Sequence, residues 1–379
     1  MNLIKENPQG RNLIYPLINK LTCPFFLMVY SLIFILHSCK TDLEVNAPYK
    51  ETTVVYGLLN QNENYHFIKI NKTFLGNANA YAMASVRDSS EYDTLLAKVE
   101  EWKDGVKTGR EWTLLDSVFT NKGSGDFYFP KQKVYYFVEP NLDSKSKYLL
   151  NISLEAGAKV VKAQTELIDS ISDFTGGQQF VIPCSGQPGV NCIGFASSRG
   201  KYIDKTFVWR SVKDGKRYQL EMNIYYKDVF TNGSNPVSRK ISWTFQPPLV
   251  SNSLKGGEEM SVTIEGEDFY KEIARQLTPL TDGTIDSRYF EKIEFSVYVA
   301  ADDLNTYLLA NEPSTGIIQE KPEFSNIENG IGIFSSRYAS TSTQKQLDVN
   351  SLDELVGGQH TSIVKFCRLN PSNGQPLCN

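Results

Sequence analysis

YLLNISLEAGAKVVKAQTEL, residues Tyr148–Leu167, decides the fold. Tyr148, Leu150, Ile152 and Leu154 alternate with Leu149, Asn151 and Ser153. After Ala156-Gly157 the alternation resumes at Val161, Ala163, Thr165 and Leu167. A side-chain period of two puts one face of a strand on a core and the other towards water, and a glycine between two such runs marks a turn. The stretch therefore predicts two antiparallel strands with one buried face.

Working outward, the same grammar recurs. Thr52–Leu59 is β-branched and apolar, Asn60–Asn64 is a polar turn, and Tyr65–Ile70 follows as a second strand. Lys98–Trp102 and Val106–Leu114 flank Asp104-Gly105, a strong hairpin signal. Six or seven strands in about 120 residues predict an immunoglobulin-like or carboxypeptidase-regulatory-like β-sandwich. Periodicity fades over 168–177, so the expected division is a sandwich over 51–175 and a second, mostly-β domain over 176–379. In that second part, strands are expected at Phe207–Ser211, Tyr218–Phe230, Ile241–Phe245 and around Ile293–Val299. Tyr218, Leu220, Met222, Ile224 and Tyr226 share one face. Phe269, Ile273 and Leu277 lie at helical spacing, and a second short helix is expected at Asp302–Ala310. The fold class is mainly β, a sandwich followed by a second mostly-β domain with one or two short helices.

Upstream, residues 1–38 read as a lipoprotein signal. Lys5, Arg11 and Lys20 precede the apolar run Leu21–Leu36, and Leu36-His37-Ser38-Cys39 closes it. The pattern looks like a bacterial lipobox, in which Cys39 is lipidated and becomes the mature N-terminus. A membrane-spanning helix needs about 20 apolar residues, and this run contains Pro24 and ends at His37. Residues 39–50 form a polar tether, with Asp42 and Glu44 resembling a surface-export signal. Several acyl chains anchor stably where one does not, at about 0.8 kcal/mol per buried CH₂.

The formal charge is −4, and no long basic run exists, so nucleic acid is not an expected partner. Of six cysteines, Cys23 leaves with the signal and Cys39 carries lipid. Cys184, Cys192, Cys367 and Cys378 remain, an even set suited to disulfides in an oxidising compartment. Four cysteines allow three pairings. Cys184–Cys192 and Cys367–Cys378 are favoured, because each pair flanks a Gly/Pro-rich turn. A Zn(Cys)₄ site is the alternative, without the usual close spacing.

No motif calls for a cofactor or a catalytic residue. Beyond the signal the only histidines are His66 and His360, without HExxH or metal-ligand spacing. The pairs Glu100-Glu101 and Asp302-Asp303 read as solvated acids, since neighbours on a strand diverge. Asp282, Thr284 and Asp286 begin like a calcium loop but lack its later ligands. Asp93-Thr94-Leu95, Asp116-Ser117-Val118 and Asp169-Ser170-Ile171 look like the O-glycosylation acceptor of exported Bacteroidota proteins, with Thr94, Ser117 and Ser170 as acceptors. The Tyr and Phe residues supply sheet core, and any exposed ones supply contact platforms.

Three stretches together carry a family resemblance: Cys39-Lys40-Thr41-Asp42, Val54–Leu59 and Ser325–Phe334. They resemble an uncharacterised family of Bacteroidota outer-membrane lipoproteins with a carboxypeptidase-regulatory-like N-terminal sandwich, often encoded beside TonB-dependent receptors. The resemblance implies an accessory lipoprotein partnering an outer-membrane β-barrel receptor, and no catalytic residue. Within the third stretch, Asn329-Gly330 and Gly332 read physically as a tight turn before a buried strand. The function expected is a lipid-anchored binding or assembly module. A surface glycan- or peptide-processing hydrolase and a structural subunit of an envelope assembly complex are the alternatives.

Overall fold

The alternation in Tyr148–Leu167 becomes two paired strands of a mainly β protein. The structure, a computed structural model, describes residues 51–74, 79–171, 182–184, 189–280, 282–313, 323–370 and 373–378. In the first part lie β1 (Thr53–Leu59), β2 (Tyr65–Lys72), β3 (Leu96–Lys103), β4 (Val106–Thr113), β5 (Leu115–Phe119), β6 (Gln132–Val138), β7 (Lys147–Leu154) and β8 (Lys159–Glu166). Two short helices, α1 (Ala80–Ala84) and α2 (Arg87–Ser90), join β2 to β3. The hairpin between β3 and β4 turns at Asp104 and Gly105, with φ of 51° and 79°. Positive φ at both centres is the two-residue turn that matches strand twist.

Strands β4-β3-β7-β8 form one sheet, and β1-β2-β6-β5 belong to the other. Their inner faces meet in one core. Val55, Ile68, Ile70 and Phe137 come from one sheet, and Val99, Tyr148, Leu150, Ile152 and Val161 from the other. This is a sandwich of eight strands.

The second part begins with β9 (Ile182–Pro183), β10 (Asn191–Ile193), β11 (Ala196–Ser198) and β12 (Lys201–Tyr202). Longer strands follow: β13 (Lys205–Arg210), β14 (Arg217–Phe230), β15 (Val237–Thr244), β16 (Leu249–Val250), β17 (Glu259–Ile264), β18 (Ile285–Ala300) and β19 (Gly330–Thr341). The chain closes with β20 (Gln346–Leu347), β21 (Phe366–Leu369) and β22 (Pro376–Cys378). Helix α3 (Gly266–Leu277) buries Phe269, Tyr270, Ile273 and Leu277, a helical stripe. It carries Glu267 and Asp268 in its first turn and Arg275 in its last, which suits the helix dipole. Helix α4 is Asp302–Asn311, and α5 is Val349–Gly357. The second part thus holds three α-helices among the described residues, where one or two are expected, and the first part adds α1 and α2.

The second core forms beneath β14 and β18. Tyr218, Leu220, Met222, Ile224 and Tyr226 face Ile293, Phe295, Val297 and Val299 along the sheet, with α3, β13 and β17 over them. The expected boundary at residue 175 lies outside the described residues. Within the described residues one sheet runs through both halves, in the order β15-β14-β18-β19-β1-β2-β6-β5. Strand β19 makes the join. It pairs in parallel with β1 through Gly330–Ser336 and antiparallel with β18 through Arg337–Thr341.

The Asn329–Gly332 turn explains how β19 gets so close to β1. Asn329 has a φ of 60°. Gly332 has a φ of +113°, and a Cβ there would stand 2.1 Å from the Val55 carbonyl oxygen. Only glycine tolerates both conditions.

Candidate functional site: the outer face of the continuous sheet

The exposed side of this sheet presents three adjacent regions. The first is aromatic. In β2 the alternation runs opposite to side-chain polarity: His66 is 1% exposed while Tyr65 and Phe67 are 52% and 43% exposed. The phase is set by Ile68 and Ile70, which lie in the core. A strand's side chains alternate, so His66 must follow the isoleucines inward and Tyr65 and Phe67 must face out. Phe67 stands 6.0 Å from Tyr136 on β6 and 5.5 Å from Phe119 on β5, between ring centroids. Tyr65 lies parallel to Phe67 at 6.3 Å. Leu115 and Val138, both exposed, extend the patch. Its uncovered apolar area is on the order of 400 Å², from half-exposed side chains of about 200 Å² each, as large as the largest patch on most monomers.

The second region is helix α4, which lies across β19 and β1. Leu304 and Tyr307 pack on Leu58, Ala300 and Ile333. These strand residues alternate with Val55 and Phe334, which face the first core. Tyr56, exposed, meets Tyr307 edge-on at 6.2 Å. On its other side α4 borders a cleft of about 500 Å³.

The third region, on β14, β15 and β18, is a polar lattice. Asn223 and Tyr298 donate to Glu221 Oε1 at 3.0 and 3.3 Å. Ser242 donates to Asn223 Oδ1 at 2.7 Å. Lys292 pairs with Glu294 at 2.7 Å and covers the Tyr225 ring at 4.6 Å.

Other residues singled out by the sequence have structural partners. His66 Nε2 lies 2.9 Å from the Glu139 carbonyl, its ring stacks on Phe137, and burial pulls its pKa below the usual histidine value. His360 belongs to the other core's surroundings and lies 2.9 Å from Glu267. Glu100 and Glu101 do diverge, but neither is solvated; both are buried. Lys98 at 2.6 Å holds the Glu100 carboxyl below the usual carboxylate range. Glu101 accepts from Thr108 at 3.0 Å and from buried Tyr148 at 3.4 Å, and lies 3.2 Å from Arg110. The expectation of solvated acids fails because the β4 hairpin folds its own cations back over β3.

Asp303 accepts from Asn326 at 2.7 Å, while Asp302 is exposed. Asp282 caps its own turn, accepting from the Thr284 amide at 2.9 Å. No three His, Cys, Asp or Glu among the described residues converge as a metal site. Cys184–Cys192 and Cys367–Cys378 are disulfide-bonded. Thr94 and Ser170 are exposed, and Ser117 on β5 is half-buried. Cys39 and the tether lie outside the described residues.

No protein-family model matches this sequence, and no curated protein is significantly similar to it.

Proposed function

We propose that this chain is a binding or assembly module, held at the outer membrane by lipid on Cys39, whose aromatic sheet face meets an outer-membrane β-barrel receptor. The observation that carries the reading is the outward display of Tyr65, Phe67, Tyr136, Leu115 and Val138 on one continuous surface. Aromatic residues at the centre of an apolar patch, rimmed by polar groups, are the composition of an interface core. The patch supplies about half of the 800 Å² per partner in a standard interface. The histidines and buried acids serve packing and hydrogen bonding, which favours binding over hydrolysis.

The tether argues for a membrane-embedded partner. Thirteen residues separate Cys39 from Thr53, and a chain spans at most about 3.6 Å per residue. The sandwich therefore works within roughly 50 Å of the bilayer. Strand β1, which the tether enters, belongs to the sheet that carries the aromatic face. Confinement to two dimensions raises the effective concentration of a membrane partner.

Site-specific photo-crosslinking in intact cells tests the reading. A crosslinking residue at Phe67 is expected to capture an outer-membrane β-barrel protein, and one at Tyr298 on the polar lattice is not. Loss of the Phe67 adduct in Cys39→Ala is expected as well. Equal capture from both positions, or none from Phe67, refutes the proposal.

A further inference from the structure

The cleft beside α4 has a chemistry that the aromatic face lacks. Its floor is apolar: Leu304 and Leu308 on the helix, Ala300 on β18 and Ala339 on β19. Its charged lining is Arg217 and Arg337, with one carboxylate, Glu63, beside Arg337. Their placement follows from register. Arg217 on β14 is opposite Ala300, and Ala300 is opposite Arg337 on β19. Residues in one row across adjacent strands project to the same side. Two guanidinium groups thus straddle a methyl group, their Cα atoms about 10 Å apart from two strand spacings. The volume, about 500 Å³, is in the range of small-molecule sites.

We infer that this cleft binds an apolar carboxylate, its hydrocarbon body on Leu304, Leu308 and Ala339 and its carboxylate between Arg217 and Arg337. Both arginines already touch an acid. Arg217 Nη2 is 3.0 Å from Glu312, and Arg337 Nη2 is 2.8 Å from Glu63. These contacts engage one nitrogen of each fork, and a guanidinium has five N–H donors. Glu312, Glu63 and Arg337 are all substantially exposed. Solvent-exposed pairs contribute little, so turning a fork towards a ligand in a partly desolvated cleft is cheap. A carboxylate matches the fork bidentately, and Leu304 and Leu308 offer the apolar body a surface on the helix. Free medium-chain fatty acids and the C-terminus of an apolar peptide share this chemistry. The inference stands apart from the aromatic face, because neither surface shares a residue with the other.

The test uses the full-length lipidated protein in nanodiscs and a diazirine-bearing decanoic acid as photoprobe, with labelled residues mapped by mass spectrometry. Labelling is expected on α4 between Leu304 and Leu308, and decanoate should compete for it where decanol does not. Leu308→Glu, at an exposed helix position, should abolish labelling. Arg337→Gln should weaken competition by decanoate about tenfold, the scale of one charge-assisted contact. Unchanged thermal unfolding of both variants shows that the fold is intact. A peptide ending in Leu-Phe with a free carboxylate, beside its C-terminal amide, separates the sources. Competition by decanoate alone assigns a fatty acid, and competition by the free-acid peptide but not the amide assigns a chain terminus. Equal competition by decanol, labelling that is uniform over the surface, or labelling that persists in Leu308→Glu overturns the inference.

Discussion

The two ends of one sheet show opposite outer faces. On β14 and β18, Asn223 and Tyr298 donate to Glu221 and Lys292 pairs with Glu294, so the polar groups of this surface are partnered by one another. On β2 and β6, Tyr65, Phe67 and Tyr136 stack on one another beside exposed Leu115 and Val138. Both are antiparallel strand pairs of the same sheet. The difference lies in what each face asks of its surroundings: the polar lattice satisfies its own hydrogen bonds, while the aromatic patch gains only when something apolar covers it.

The sharpest way to break this contrast is to separate stability from binding. Arg288 is fully buried and pairs with Asp228 at 2.9 Å, also donating to the Val364 carbonyl at 2.8 Å. Arg288→Met leaves a buried carboxylate short of a partner and should cost about 3–5 kcal/mol in urea unfolding. Phe67→Ser should cost under about 1 kcal/mol, because its ring is already half in water. Comparable losses would mean that the aromatic face is core, not interface.

Next in size are the disulfides, both of which belong to the second half. Their loops close 8 and 11 residues, worth about 2.5 kcal/mol each under the loop-entropy relation. Cys367→Ser with Cys378→Ser should raise hydrogen exchange around β21 while the amides of β2 and β6 stay protected. Uniform loss across both halves would show that the continuous sheet unfolds as one unit.

A smaller effect belongs to the patch itself. Phe67→Ala should weaken receptor capture at least tenfold, about 1.4 kcal/mol, whereas Tyr298→Ala should leave it unchanged. The smallest is His66. Its folded pKa lies below its unfolded value near 6.5 because burial disfavours the charged ring. The unfolded chain therefore takes up the proton first, and stability present above pH 6.5 declines as the pH falls towards the folded value. His66→Phe should flatten that decline in unfolding experiments between pH 7 and 5.

Much of the fold is legible in local pattern. The Tyr148–Leu167 alternation, the Asp104-Gly105 turn and the stripe of α3 all appear where period and turn chemistry put them. The joining of β19 to β1 is not legible, because it unites residues about 280 positions apart and depends on a close approach at Gly332. The burial of Glu101 is equally hidden, since its cation comes from the far strand of a hairpin. The outward rings of β2 did leave a signal: Ile68 and Ile70 fix the inward phase, so Tyr65 and Phe67 fall on the other side. Polarity alone suggests the reverse.

The parallel pairing of β1 with β19 also sets a timetable. A chain made from its N-terminus has β1 long before residues 330–341 exist. Until then one edge of β1 has no neighbour from β19, and the apolar residues Ile327 and Phe334 are missing from the first core. Pairing at such separation is slow, and open strand edges invite association with other chains. A ribosome-arrested or truncated chain ending before Asn329 would present that edge permanently, so the sandwich depends for its completion on a strand about 280 positions beyond β1.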